Sequence, residues 1–130
     1  MGQKPQILVD TDILIKLFRG DKKIKKILDT HKGKIAVSIV TYFELLTGLK
    51  TKQRIIDLNK QMRAYEVVHL SEAISKKSFL IFQKYITIHH LFPADILIAA
   101  TAIENELYLL TSNVQDFVFI KELQLFEQNI

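Results

Sequence analysis

Short apolar runs recur along this chain, and between them lie stretches with helical periodicity. Residues 6–10, 34–38, 66–70 and 107–111 each read as a short strand. Parallel strands need long crossovers, usually helical, whereas antiparallel neighbours need only tight turns. The alternation therefore predicts an α/β fold with helices on both faces of a parallel sheet. A further run, residues 123–127, is expected as an edge strand, giving a three-layer α/β/α sandwich of four to five strands.

The helices carry local signals of their own. Asp12 is expected to cap a short helix over 13–18 that Gly20 ends. In 21–29, Ile24, Ile27 and Leu28 share one face and the lysines the other. Thr41-Tyr42-Phe43-Glu44 has the form of a capping box opening a helix that runs to Gly48 or Lys50. Residues 53–64 form another, with Ile55, Ile56, Leu58 and Met62 as its apolar set. Ser71 caps a long helix to about Ile88, carrying Ile74, Phe79, Phe82, Tyr85 and Ile86. Pro93 suits the first turn of a helix over 94–105, and 113–117 is expected as a loop or single turn.

With 130 residues and no linker or repeat, the chain is expected to form a single domain over 1–130. It has no cysteine, which rules out a disulfide framework and cysteine-ligated zinc and fits a reducing compartment. No signal-peptide stretch opens it, and no apolar run approaches the ~20 residues of a membrane span. A soluble, cytoplasmic protein is expected.

Against this frame, four acids stand out. Asp10 follows Gln6-Ile7-Leu8-Val9, Glu44 follows the run 35–40, Asp95 stands beside Leu91-Phe92-Pro93, and Asp116 follows 107–110. Sites in parallel sheets form outside the carboxyl ends of the strands. Asp10, Glu44 and Asp116 reach that rim directly, and Asp95 does so if its helix begins there. Each has a local alternative: capping box for Glu44, first-turn charge for Asp95, turn residue for Asp116. Together they are costly, since like charges ~5 Å apart at an effective dielectric of ~20 repel by roughly 3 kcal/mol per pair. A divalent cation relieves that repulsion, and such sites act on phosphate. Net charge is +4, and residues 16–34 hold eight Lys or Arg against Asp21 and Asp29. That stretch is either a polyanion-binding surface or a solvated helix face.

Three segments carry a family resemblance. They are Leu8-Val9-Asp10-Thr11-Asp12-Ile13-Leu14-Ile15; Ser38-Ile39-Val40-Thr41-Tyr42-Phe43-Glu44-Leu45, with Gly48 following; and Pro93-Ala94-Asp95-Ile96-Leu97-Ile98-Ala99-Ala100-Thr101-Ala102, running into Leu109-Leu110-Thr111-Ser112-Asn113-Val114-Gln115-Asp116-Phe117. In order and spacing they resemble the PIN domain, in particular the small VapC-type toxin ribonucleases. The third is the most specific. The resemblance implies a PIN-like sandwich that cleaves RNA, with Asp10, Glu44, Asp95 and Asp116 as catalytic residues holding one or two Mg²⁺ or Mn²⁺ ions. It implies that Thr111 and Asn113 orient Asp116 or a water, and that Thr11 does likewise for Asp10. Lys16 and Arg19 are the nearest cations and candidates to hold substrate phosphate. A cognate antitoxin and a homodimer are implied as well. Two positions depart from the pattern: Ser112 stands where the family often has a basic residue, and Glu106 where it often has Gly. Asn105 is the expected source of the turn there.

Rival readings exist. An apolar strand before Asp10-Thr11-Asp12 also opens haloacid-dehalogenase-type phosphatases, but the Gly-Asp segment those enzymes need is missing. A receiver domain needs an Asp ending its third strand, where this chain has Val67-Val68-His69-Leu70-Ser71. A catalytically silent PIN-like module binding RNA or protein is the alternative from another class. His31 and His69 receive no role; His89-His90 stands near the site mouth or forms a solvated loop pair.

Overall fold

In the computed structural model, which describes residues 4–127, the chain runs β1 (Ile7–Val9), α1 (Thr11–Phe18), α2 (Lys22–Thr30), β2 (Ile35–Ser38), α3 (Ile39–Leu46), α4 (Lys52–Met62), β3 (Glu66–Val68), α5 (Glu72–Tyr85), α6 (Pro93–Glu104) and β4 (Tyr108–Leu110). The strands form one parallel sheet in the order β3-β2-β1-β4. The chain builds outward from β1 through β2 to β3, then returns to lay β4 on the other side of β1. The order thus reverses between β1 and β4, and the crevice beyond their carboxyl ends is where such sheets bind ligands.

Strand side chains alternate between two cores. Leu8, Ala36 and Leu109 face the core completed by Ile74, Ile81 and Tyr85 of α5 and Ile96, Ile98 and Ala99 of α6. Ile7, Val9, Ile35, Val37 and Leu110 face the other, completed by Ile13 and Leu14 of α1, Ile24, Ile27 and Leu28 of α2, and Leu58 and Met62 of α4. Burial on both faces explains why β1 and β2 read as unbroken apolar runs. Helix α3 reaches both cores, Val40 lying in the first and Tyr42, Leu45 and Leu46 packing on the second. Among the described residues, no helix is long and apolar enough to cross a membrane.

Several sequence expectations need correction. The fifth strand reduces to a single bridge, Leu109 to Leu125. Asp12 does not cap α1. The helix begins at Thr11, and Asp10 caps it by accepting from the Thr11 N–H at 2.8 Å. The capping box at Thr41 does not form either, because α3 starts at Ile39 behind a Ser38 cap, which places Glu44 well inside the helix. On α5 the buried positions are Ile74, Ser78, Ile81 and Tyr85, so Phe79 is 62% exposed. Ile86 lies beyond the end of α5 and is exposed. Ile55 and Ile56 of α4 are likewise exposed. Before β4, Glu106 rather than Asn105 takes the left-handed conformation, with φ +55°, which costs a non-glycine residue about 1–2 kcal/mol.

Candidate active site

The rim above β1 and β4 is assembled by backbone first. The Asp10 N–H donates to the Leu110 carbonyl at 2.9 Å, carrying the ladder one residue past the strands. This brings Asp10 against Thr111, whose hydroxyl donates to Asp10 Oδ2 at 2.8 Å. With Oδ1 taken by the Thr11 N–H, both Asp10 oxygens are fixed, and the residue is 5% exposed. Thr111 therefore orients Asp10. Its hydroxyl also accepts from the Asn113 N–H at 3.0 Å, which bends the chain into the short 3₁₀ turn Val114–Asp116. Asn113 enters through its backbone, and its side chain does not cap that turn.

Thr11 looks the other way. Its hydroxyl donates to Glu44 Oε1 at 2.6 Å and lies 3.0 Å from the buried Thr41 hydroxyl. Glu44 is thus tied to the first turn of α1, one residue from Asp10. Asp95 lies in the first turn of α6, whose cap position, Phe92, makes no side-chain capping bond. Partial burial first, then the charges of Asp116, Glu44 and Asp12, raise the Asp95 carboxyl to about 6. Burial first, then the Asp12 charge and a side-chain hydrogen bond shared with Asp12, raise Asp10 to about 7, against the lowering effect of Thr111 and the Thr11 N–H. The structure thus draws Asp116, Glu44 and Asp12 within electrostatic reach of Asp95, and ties Asp10 to Glu44 through Thr11.

Asp12 joins this group unannounced by the sequence, where it read as a cap. Its Oδ2 accepts from the Ser112 N–H at 3.0 Å and from the Ser112 hydroxyl. Its side chain also shares a hydrogen bond with Asp10. Spacing supplies the signal that identifies it: on an α1 beginning at Thr11, Asp12 falls in the first turn beside the rim. Lys16 and Arg19 follow at helical spacing on the same side of α1, exposed and farther from the rim. At the rise of an α-helix they stand roughly 6 and 10 Å along the axis from Asp12. On α2, Lys22, Lys25 and Lys26 border a shallow hollow of about 420 Å³ with Asp29 and Thr30. His89 lies stacked on Phe119, ring centroids 4.1 Å apart.

The donor set is all oxygen, which suits hard cations such as Mg²⁺ and Mn²⁺. Two carboxyls that resist ionisation, Asp10 and Asp95, fit a site built to share positive charge. Among the described residues, no three His, Cys, Asp or Glu side chains already stand around one point. Mg²⁺ keeps several waters and takes only one or two carboxylates directly, so three at one point are not required for it.

A pH dependence follows. Asp10 binds its proton more tightly folded, at about 7, than at its ordinary 3.8. Asp95 does so at about 6. The folded state holds the extra protons, so their stabilisation is complete below 3.8 and is lost as pH rises through the folded values. In excess chelator, Tm should fall between about pH 4 and 7, and Asp10→Asn should flatten that slope. A Tm that climbs across this window would contradict the assignment.

The PIN domain family model matches residues 7–120. Ribonuclease VapC10 of Mycobacterium tuberculosis is 31% identical over 121 residues, covering 91% of this chain and 90% of the relative. Ribonuclease VapC1 of Methanocaldococcus jannaschii is 32% identical over 124 residues, covering 95% and 87%. A toxin-antitoxin complex from Klebsiella pneumoniae contains a chain that is 30% identical, with a TM-score of 0.78 and coverage of 91% and 95%. VapBC2 of Rickettsia felis, solved bound to a promoter DNA fragment, aligns at a TM-score of 0.85 over 98% and 100% at 20% identity, a likeness of fold alone. By model match and by relatives that align along nearly its whole length, the chain belongs to the PIN domain family, among the VapC proteins.

Proposed function

We propose that this protein is a divalent-metal-dependent endoribonuclease, the toxin of a toxin–antitoxin pair acting in the cytoplasm. The observation that carries the reading is the rim at the β1/β4 reversal, where Thr111 and Thr11 fix Asp10 and Glu44 and where the charges of Glu44 and Asp116 act on Asp95. Relatives named ribonucleases and a structural relative titled a toxin-antitoxin complex support the substrate class and the partner. A homodimer is part of the same proposal, by family resemblance.

Asp10, Glu44, Asp95 and Asp116 would hold Mg²⁺ or Mn²⁺. A divalent cation held there would supply Lewis acidity toward a phosphodiester and lower the pKa of water. The chain's own contribution is orientation and proton binding. Thr111 and the Thr11 N–H hold both oxygens of Asp10, so its carboxylate enters the site in one orientation. The Thr11 hydroxyl holds one oxygen of Glu44, Oε1. Asp10 holds its proton up to about pH 7 and Asp95 up to about pH 6, so binding of a cation in competition with those protons would strengthen as pH rises. Lys16 and Arg19 would hold flanking phosphates of the RNA.

Substrate choice tests this reading against its phosphatase rival. In Mn²⁺ buffer the purified protein should cut RNA internally and leave a small phosphomonoester essentially untouched. Faster hydrolysis of the phosphomonoester would overturn the ribonuclease reading. Binding of RNA without cutting would favour the silent binding module.

A further inference from the structure

Residues 16–34 hold eight Lys or Arg, and α2 carries four of them on its outer face. The helix buries Ile24, Ile27 and Leu28 in the core below and leaves Lys22, Lys23, Lys25 and Lys26 exposed. Lys22, Lys25 and Lys26 line one shallow hollow with Asp29 and Thr30. Asp29 neutralises one of the three, accepting from the Lys25 ammonium at 2.8 Å. Among the described residues, Lys22 and Lys26 have no ion pair. Helix stability does not explain the arrangement. Lys22 and Lys26 are like charges four residues apart, which disfavours a helix. Lys22 and Lys23 stand in the first turn, which holds no acid and where the helix dipole opposes cations.

This face is joined to the end of α1 by a short, hydrogen-bonded turn. Gly20, at φ +91°, donates its N–H to the Leu17 carbonyl at 3.0 Å, and the Asp21 N–H donates to the Lys16 carbonyl at 3.0 Å. That pair of bonds is a Schellman closure of α1. Asp21 then caps α2 by accepting from the Ile24 N–H at 3.0 Å. Gly20 alone separates Arg19, the cap of α1, from Asp21, the cap of α2. Lys16 and Arg19 are therefore held in a fixed relation to the lysines of α2.

We propose that Lys22, Lys25 and Lys26 form an RNA-backbone surface that continues the path of Lys16 and Arg19 away from the rim. A long RNA would then be gripped by its phosphates outside the point of cleavage. Lysines left without acids match a chain of phosphates, and such contacts position a nucleic acid without reading its sequence. The inference rests on RNA being the substrate and adds where the flanking strand runs.

The test is binding of a labelled single-stranded RNA by the full-length protein in chelator, repeated over a series of salt concentrations. Lys22→Gln with Lys26→Gln removes the two unpaired charges. It should melt at or above the parent's temperature, because it relieves repulsion between exposed side chains. Its RNA affinity should fall several-fold at low salt. The slope of log affinity against log salt should flatten by about 1.4, at roughly 0.7 per phosphate contact on a single strand. Lys76→Gln with Lys84→Gln makes the same change in net charge on α5, which packs on the opposite face of the sheet. That control should keep the parent's slope. In Mn²⁺ the α2 variant should raise KM for long RNA and keep kcat. Equal effects of the two double variants would reduce α2 to a share of the net charge and overturn the proposal. Displacement of the RNA by polyglutamate as readily as by unlabelled RNA would also overturn it, in favour of an acidic polypeptide. RNA binding that depends on α2, in a protein that cuts no RNA in Mn²⁺, would uphold this surface and overturn the ribonuclease reading. A parent that binds no RNA would overturn both.

Discussion

Asp95→Asn should cut RNA roughly 100-fold more slowly than the parent, or worse, while its metal-free form melts at the same temperature or higher. Loss of a group that merely orients a ligand costs 10–100-fold, and a direct ligand costs at least as much. The stability half separates two explanations of the same residue. Asp95 lies in the first turn of α6 but does not occupy its cap position, so its structural value is limited to the helix-dipole interaction, ~0.3–1 kcal/mol. Against that stands its repulsion from Asp116, Glu44 and Asp12, up to roughly 3 kcal/mol for a close pair before solvent screening. Removing the charge therefore relieves more than it costs when no cation is bound. In Mn²⁺ the order reverses, because the parent gains stability from a ligand that the variant binds poorly. Melting curves in chelator and in Mn²⁺, beside a cleavage assay, check both halves. A variant that melts lower without metal, keeps its Mn²⁺-induced shift and still cuts RNA would make Asp95 a structural residue only.

Much of this architecture was legible before any coordinates. β1 and β2 are buried on both faces, so their apolar runs were unbroken, and the helices between strands announced a parallel sheet. Failures occurred where tertiary contacts overrode local pattern. Ser78 is buried in α5 because its hydroxyl donates to the Ile74 carbonyl at 2.8 Å. A satisfied serine looks polar in sequence, so the apolar pattern points to Phe79, one residue past the position that is buried. Thr41 resembled a cap but is a buried helical residue whose hydroxyl meets Thr11. Glu106 occupies a left-handed position that Asn105 was expected to take.

At the site, Asp10, Glu44, Asp95 and Asp116 were legible as candidates because they fall at the ends of apolar runs. Thr11 and Thr111 were legible as orienting residues, but not the acid each one holds: Thr111 bonds Asp10 rather than Asp116, and the Thr11 hydroxyl bonds Glu44. The Thr11–Glu44 and Thr111–Asp10 bonds join positions 33 and 101 residues apart. Asp12 was hidden by its neighbour: acids flank Thr11 on both sides, and local pattern pointed to Asp12 as the cap of α1 where the structure has Asp10. The ladder bond from Asp10 to Leu110 decides it, holding Asp10 at the cap and moving Asp12 into the first turn.

Removing the cation should have a larger effect than any single substitution. The rim then presents clustered carboxylates to an incoming phosphodiester, itself an anion, and each close pair opposes its approach by up to roughly 3 kcal/mol. Nothing remains to polarise the phosphate or acidify a water. The most direct measurement is RNA cleavage by the purified protein in excess chelator, followed by restoration of free Mn²⁺ to the same sample. The account predicts intact RNA in chelator and internal cleavage once Mn²⁺ returns. Cleavage at full rate in chelator would contradict it.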